Sequence, residues 1–83
     1  MEFTKEVIYL GMSPNQLSDG GQYFTVNLFN PDNNSTIQVN VMDNKQNYDT
    51  VSTLAVMNFG DKFTAVFALK PKDKLYRLAL VRV

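Results

Sequence analysis

The residues of this sequence that can do chemistry are rings, amides and cations rather than acids, bases or nucleophiles. The 83 residues include no histidine and no cysteine. That removes the usual general base, the imidazole of a nucleophilic triad and both favoured zinc ligands. Asp32, Asp43 and Asp49 are the candidates for a carboxylate pair. They fall in polar breaks or at a helix start, where turn formation and capping account for them. Gly20-Gly21 lacks the rest of a phosphate-cradling loop. Catalysis is therefore the least expected activity, and neither a cofactor nor a metal is expected. Three rings, Tyr23, Phe29 and Tyr48, can stack on flat ligands. Asn27 and Gln38 can hydrogen-bond, and Lys45, Lys70, Lys72, Lys74 and Arg77 can neutralise anions.

These residues need elements to hold them. Gln22–Phe29 and Thr36–Met42 both alternate apolar and polar residues, the period of a strand. Phe24, Val26 and Leu28 share one face with Ile37, Val39 and Val41, which is a core face. Tyr23, Thr25, Asn27 and Phe29 share the other with Thr36, Gln38 and Asn40. The connection from Asn30 to Ser35 is rich in turn formers, so the two runs read as a hairpin. Before it, Phe3–Met12 reads as a strand with two mostly apolar faces, one that is either covered on both faces or changes face midway. Gly11 is the place for the bend, since strand glycines mark bulges and corners. Pro14 should bar a central strand from continuing, and Ser13–Gly21 reads as a loop. After the hairpin, Asp49 or Thr50 can cap a short helix carrying Val51, Leu54, Ala55 and Met57, ended by Asn58 and Gly60. Phe63–Lys70 and Leu75–Val83 are the last strands, joined by a tight loop over Pro71-Lys72-Asp73-Lys74.

Eighty-three residues make a single domain, 1–83, with a small core that dimerisation would help. The N-terminus lacks a signal-peptide pattern, and no apolar run approaches the roughly 18 residues of a membrane helix. A cytoplasmic protein without a membrane partner is expected. The net charge is zero but lopsided. Met1–Asn58 holds Lys5 and Lys45 against Glu2, Glu6, Asp19, Asp32, Asp43 and Asp49. Phe59–Val83 holds Lys62, Lys70, Lys72, Lys74, Arg77 and Arg82 against Asp61 and Asp73. Such asymmetry signals either an anionic partner or two halves that pair with each other.

Five strands with a helix between the third and fourth is the order of the OB-fold, a Greek-key barrel whose second and third strands and flanking loops bind oligonucleotides. Single-stranded nucleic acid needs rings for its bases and cations for its phosphates. Tyr23 and Phe29 on the predicted open face answer the first need, with Asn27 and Gln38 beside them as hydrogen-bonding groups. Lys45 and Tyr48 beyond the third strand, and Lys70, Lys72, Lys74 and Arg77 around the last hairpin, complete the expected site.

The stretch Gly21-Gln22-Tyr23-Phe24-Thr25-Val26-Asn27-Leu28, with the strand Thr36-Ile37-Gln38-Val39, resembles the second and third strands of small single-stranded-DNA-binding proteins. The run Phe63-Thr64-Ala65-Val66 through Arg77-Leu78-Ala79-Leu80-Val81 resembles the closing hairpin of the helix-destabilising proteins of filamentous phages. The resemblance implies an OB-fold homodimer that coats single-stranded DNA, with RNA as a lesser prospect and little sequence preference, in the service of DNA replication in a phage or mobile element. It implies that Tyr23 contacts DNA, with Tyr48, Lys70 and Lys72 as further matches. The alternatives are a protein-interaction module that uses the same open face, or a structural subunit of a phage or mobile-element assembly.

Overall fold

Alternation of apolar side chains fixes the sheet, and one bulge lets its central strand serve two neighbours. The computed structural model describes residues 2–72 and 75–83; the side chains of 72–77 lie outside that description. Strand β1 spans Glu2–Gln16, β2 Gln22–Asn30 and β3 Ser35–Met42. A short 3-10 turn at Lys45–Asn47 leads into helix α1, Tyr48–Ala55. Strands β4, Lys62–Lys72, and β5, Leu75–Arg82, complete the chain. The fold is all-β, with five antiparallel strands in one sheet and one short helix. The strand order is β3-β2-β1-β4-β5.

The β2–β3 hairpin has the register that the alternation predicts. Phe24 lies opposite Val41, Val26 opposite Val39 and Leu28 opposite Ile37. Val26, Leu28, Val39 and Val41 are buried. They meet Val7 and Tyr9 of β1, Ala65 and Phe67 of β4, Leu80 of β5 and Leu54 of α1. Leu54 is fully buried, so the helix is pinned to the sheet by one leucine, with Val51 and Met57 beside it. Phe3 lies opposite Phe67 and stacks on it, ring centroids 5.7 Å apart.

Strand β1 is divided. Glu2–Ile8 pairs with β4, and Ile8–Gln16 pairs with β2. A bulge between Tyr9 and Gly11 shifts the register, and Gly11 has a φ of 133°, a conformation that glycine adopts without a side-chain penalty. The inward set changes from Val7 and Tyr9 to Met12, opposite Val26. The predicted bend is thus present.

Other expectations are corrected. Ser13–Gln16 is strand, not loop, and Pro14 sits within it opposite Phe24. Tyr9 still exchanges backbone hydrogen bonds with Gly60 and Asp61, but beyond it β1 has β2 as its one strand partner among the described residues, so the missing proline N–H falls on an unpaired side. Pro71 follows the same rule. It pairs with Tyr76 of β5 beyond the last β1–β4 pair, Glu2 with Ala68, so β4 runs on to Lys72 instead of turning at Lys70. The helix begins at Tyr48 with Asn47 at the cap position. Asp49 lies in its first turn and Thr50 is buried within it, so neither caps it.

The two outer strands, β3 and β5, approach to within 8 Å between Cα atoms. No hydrogen-bonded ladder joins them among the described residues. No helix among the described residues is long and apolar enough to cross a membrane.

Candidate nucleic-acid interface

The outward face of β1, β2 and β3 carries four cross-strand rows. Asn15, Tyr23 and Met42 form the first, and Ser13, Thr25 and Asn40 the second. Gly11, Asn27 and Gln38 form the third, and Ile8, Phe29 and Thr36 the fourth. None of these residues is an Asp, Glu, Lys or Arg. Each arises from the strand period, because the partners of Val26 and Leu28 point inward and their neighbours must point out. Tyr23 and Phe29 are both half-buried, with one ring at each end of β2.

Side-chain hydrogen bonds hold the middle of the face. Asn15 Nδ2 donates to Thr25 Oγ1 at 2.8 Å, and Thr25 Oγ1 donates to Asn40 Oδ1 at 3.1 Å. This relay runs across all three strands. In the next row Gln38 Nε2 donates to Asn27 Oδ1 at 3.2 Å. Asn27 Nδ2 and Gln38 Oε1 accordingly carry no side-chain bond among the described residues. An amide pinned in this way presents its remaining groups to solvent in a set orientation, which is what recognition by hydrogen bonds requires.

Two predicted residues lie at the Tyr23 end. Asn44 Oδ1 accepts from the Asn47 N–H at 3.0 Å, and Asn47 Nδ2 donates to the carbonyl of Met42 at 2.9 Å. These bonds tie the turn bearing Lys45, and the start of the helix bearing Tyr48, to the β3 residue opposite Tyr23. Lys45 is exposed, and Tyr48 is 68% exposed.

The basic hairpin lies elsewhere along the sheet. Tyr23 pairs with Asn15 at one end of β1, and Ala68 pairs with Glu2 at the other. Lys70, exposed and opposite Arg77 in the ladder, is two residues beyond that far end. The register thus separates Lys70 from Tyr23 by the length of β1. Lys74 and the side chains of Lys72 and Arg77 lie outside the described residues. Part of the charge asymmetry is satisfied internally. Lys62 pairs with Glu6 at 3.6 Å and Arg82 with Glu2 at 3.8 Å, each joining the basic tail to the acidic front, while Lys5 pairs with Asp32 within the front half.

Of the candidate carboxylates, Asp32 is thus an ion-pair partner in the β2–β3 turn. The Asp43 N–H donates to the Gln22 carbonyl at 3.1 Å where β3 ends. The described residues hold no cluster of three potential metal ligands.

Sequence reasoning missed Ser13 and Asn15, which extend the polar face onto β1. The signal was there: beyond Gly11 the alternation resumes in the opposite phase, but Pro14 concealed it. It also passed over Val56 and Phe59, 79% and 78% exposed in the segment between α1 and β4.

Comparison with known proteins returned no match: no family model, curated protein or solved structure matches this chain.

Proposed function

We propose that this chain binds single-stranded DNA, with its five strands curled as an OB-fold-like barrel. The observation that carries this reading is the outward face of β1–β2–β3. It offers two half-buried rings with two rows of uncharged hydrogen-bonding side chains between them. A base stacked on a protein ring is worth roughly 1–3 kcal/mol and any base can supply the face. Tyr23 and Phe29 are the platforms. Lys45 stands beyond β3 near the Tyr23 end and Lys70 beyond the opposite end of β1, so a strand crossing the sheet meets a cation at either side. Lys72, Lys74 and Arg77 neighbour Lys70 in sequence and add to its charge.

The test is fluorescence anisotropy with labelled oligo-dT, oligo-U and duplex at two salt concentrations. Oligo-dT is expected to bind, duplex to bind less well, and the log–log salt slope to be about −0.7 per phosphate contacted. No binding of oligo-dT at low salt refutes the proposal.

The exposure of Val56 and Phe59 supports a second reading, a protein-interaction module. A specific protein retained after nuclease treatment by the wild type, and lost from a Phe59→Ser variant, is its expected result.

A further inference from the structure

The row Gly11, Asn27, Gln38 differs from the others on the outward face. Its β1 position has no side chain, and a Cβ built on Gly11 meets nothing within 4 Å, so the row ends in open space. Asn27 and Gln38 lie directly opposite each other, and the bond from Gln38 Nε2 to Asn27 Oδ1 fixes both amides. What they turn outward is complementary: an acceptor, Gln38 Oε1, beside a donor, Asn27 Nδ2. Phe29 follows Asn27 by two residues on the same face. That is about 6.6 Å along the strand, so the ring stands in the row next to the two amides.

We infer that this row is a base-reading subsite, in which an unpaired base lies over the Gly11 gap with its face toward Phe29 and its hydrogen-bonding edge on Gln38 Oε1 and Asn27 Nδ2. The inference rests on the single-stranded-DNA reading and goes beyond it, because it assigns affinity to the edges of bases as well as to their faces. Every base has a donor next to an acceptor on its pairing edge, so such a subsite demands a base without demanding one sequence. It also suits a face that carries no charge of its own, where hydrogen bonds to bases have to provide what phosphate contacts do not.

The test crosses two ligands with two proteins. One ligand is oligo-dT; the other is the same length with thymines replaced by a nonpolar isostere that keeps shape and stacking but cannot hydrogen-bond. The proteins are the wild type and Gln38→Ala, with Asn27→Ala as a second variant. Both residues sit on the outward face, and an unchanged denaturation midpoint shows that each variant remains folded. Wild type is expected to bind oligo-dT roughly 5- to 150-fold tighter than the isostere, the range for a bidentate base contact. In either variant that ratio is expected to fall toward one. Equal binding of the two oligomers by the wild type overturns the subsite and leaves single-stranded-DNA binding intact. An undiminished ratio in both variants also overturns it, since the discrimination then lies elsewhere. Failure of oligo-dT to bind overturns the underlying reading and the subsite with it.

Discussion

Replacing Gly11 with alanine tests the device that sets the outward face. The φ of 133° at this residue is one that side chains with L chirality rarely adopt. The added methyl group has room, with no atom within 4 Å of its position, so any cost lies in the backbone. Residues held in such regions cost of order 1–3 kcal/mol. Against this, alanine restricts the unfolded chain and recovers about 0.4–1 kcal/mol where the conformation suits it. The net expectation is a loss of about 0–2.6 kcal/mol, about 1.3 kcal/mol at mid-range. In a domain of this size that lowers the melting temperature by roughly 4–8 °C per kcal/mol. Urea denaturation is the assay, with a lower midpoint and an unchanged slope as the expected result, because the surface exposed on unfolding stays the same. D-Alanine at position 11, introduced by chemical synthesis, accepts positive φ and is expected to be at least as stable as glycine. An L-alanine variant as stable as the D-alanine variant refutes the account of β1, because the two share the restriction of the unfolded chain and the bulge would then not depend on positive φ.

Four further outcomes are expected. Tyr23→Ala weakens oligo-dT binding by roughly 1–3 kcal/mol, read by anisotropy, with the denaturation midpoint little changed because Tyr23 is only half-buried. Leu54→Ala destabilises the fold by about 2–5 kcal/mol, read by urea denaturation, because the fully buried leucine anchors α1 to the sheet. Burial raises the pKa of Tyr9 above its ordinary value of 10.0. The unfolded chain therefore loses this proton first, and stability that is complete below about pH 10 falls as the pH rises toward the folded-state value. Alkaline melts should show that fall, and Tyr9→Phe should reduce it. Thr25→Val cuts the relay between Asn15 and Asn40. At this half-buried position the expected loss is about 0.5–1.5 kcal/mol, seen as a small drop in the urea midpoint.

The hairpin of β2 and β3 was legible because its side chains alternate without interruption and only one register buries Val26 and Leu28 against Val39 and Ile37. Gly11 was legible because a glycine inside a strand run marks a bulge or corner. The length of β1 was not, because proline is excluded from strands with partners on both sides, and no local pattern reveals that β1 loses one neighbour after Tyr9. Pro71 misled for the same reason. Tyr23, Asn27, Phe29 and Gln38 were correctly gathered on one face, since strand parity alone decides that. The placement of Lys70 relative to Tyr23 was not, because it depends on which end of β1 receives the β4–β5 hairpin. Charge pairing between the two halves was among the expectations, but the particular pairs, Lys62 and Arg82 with β1 glutamates, depend on that same long-range pairing and were hidden.

The half-partnered stretch of β1 has a consequence for behaviour at high concentration. A strand whose backbone groups are left open invites a second molecule to align with it and begin a stack. Here a proline interrupts the row of donors and the kink at Gly11 spoils its straightness. The strand thus carries its own guard against fibril growth, and Pro14→Thr should shorten the lag before turbidity appears in a concentrated sample.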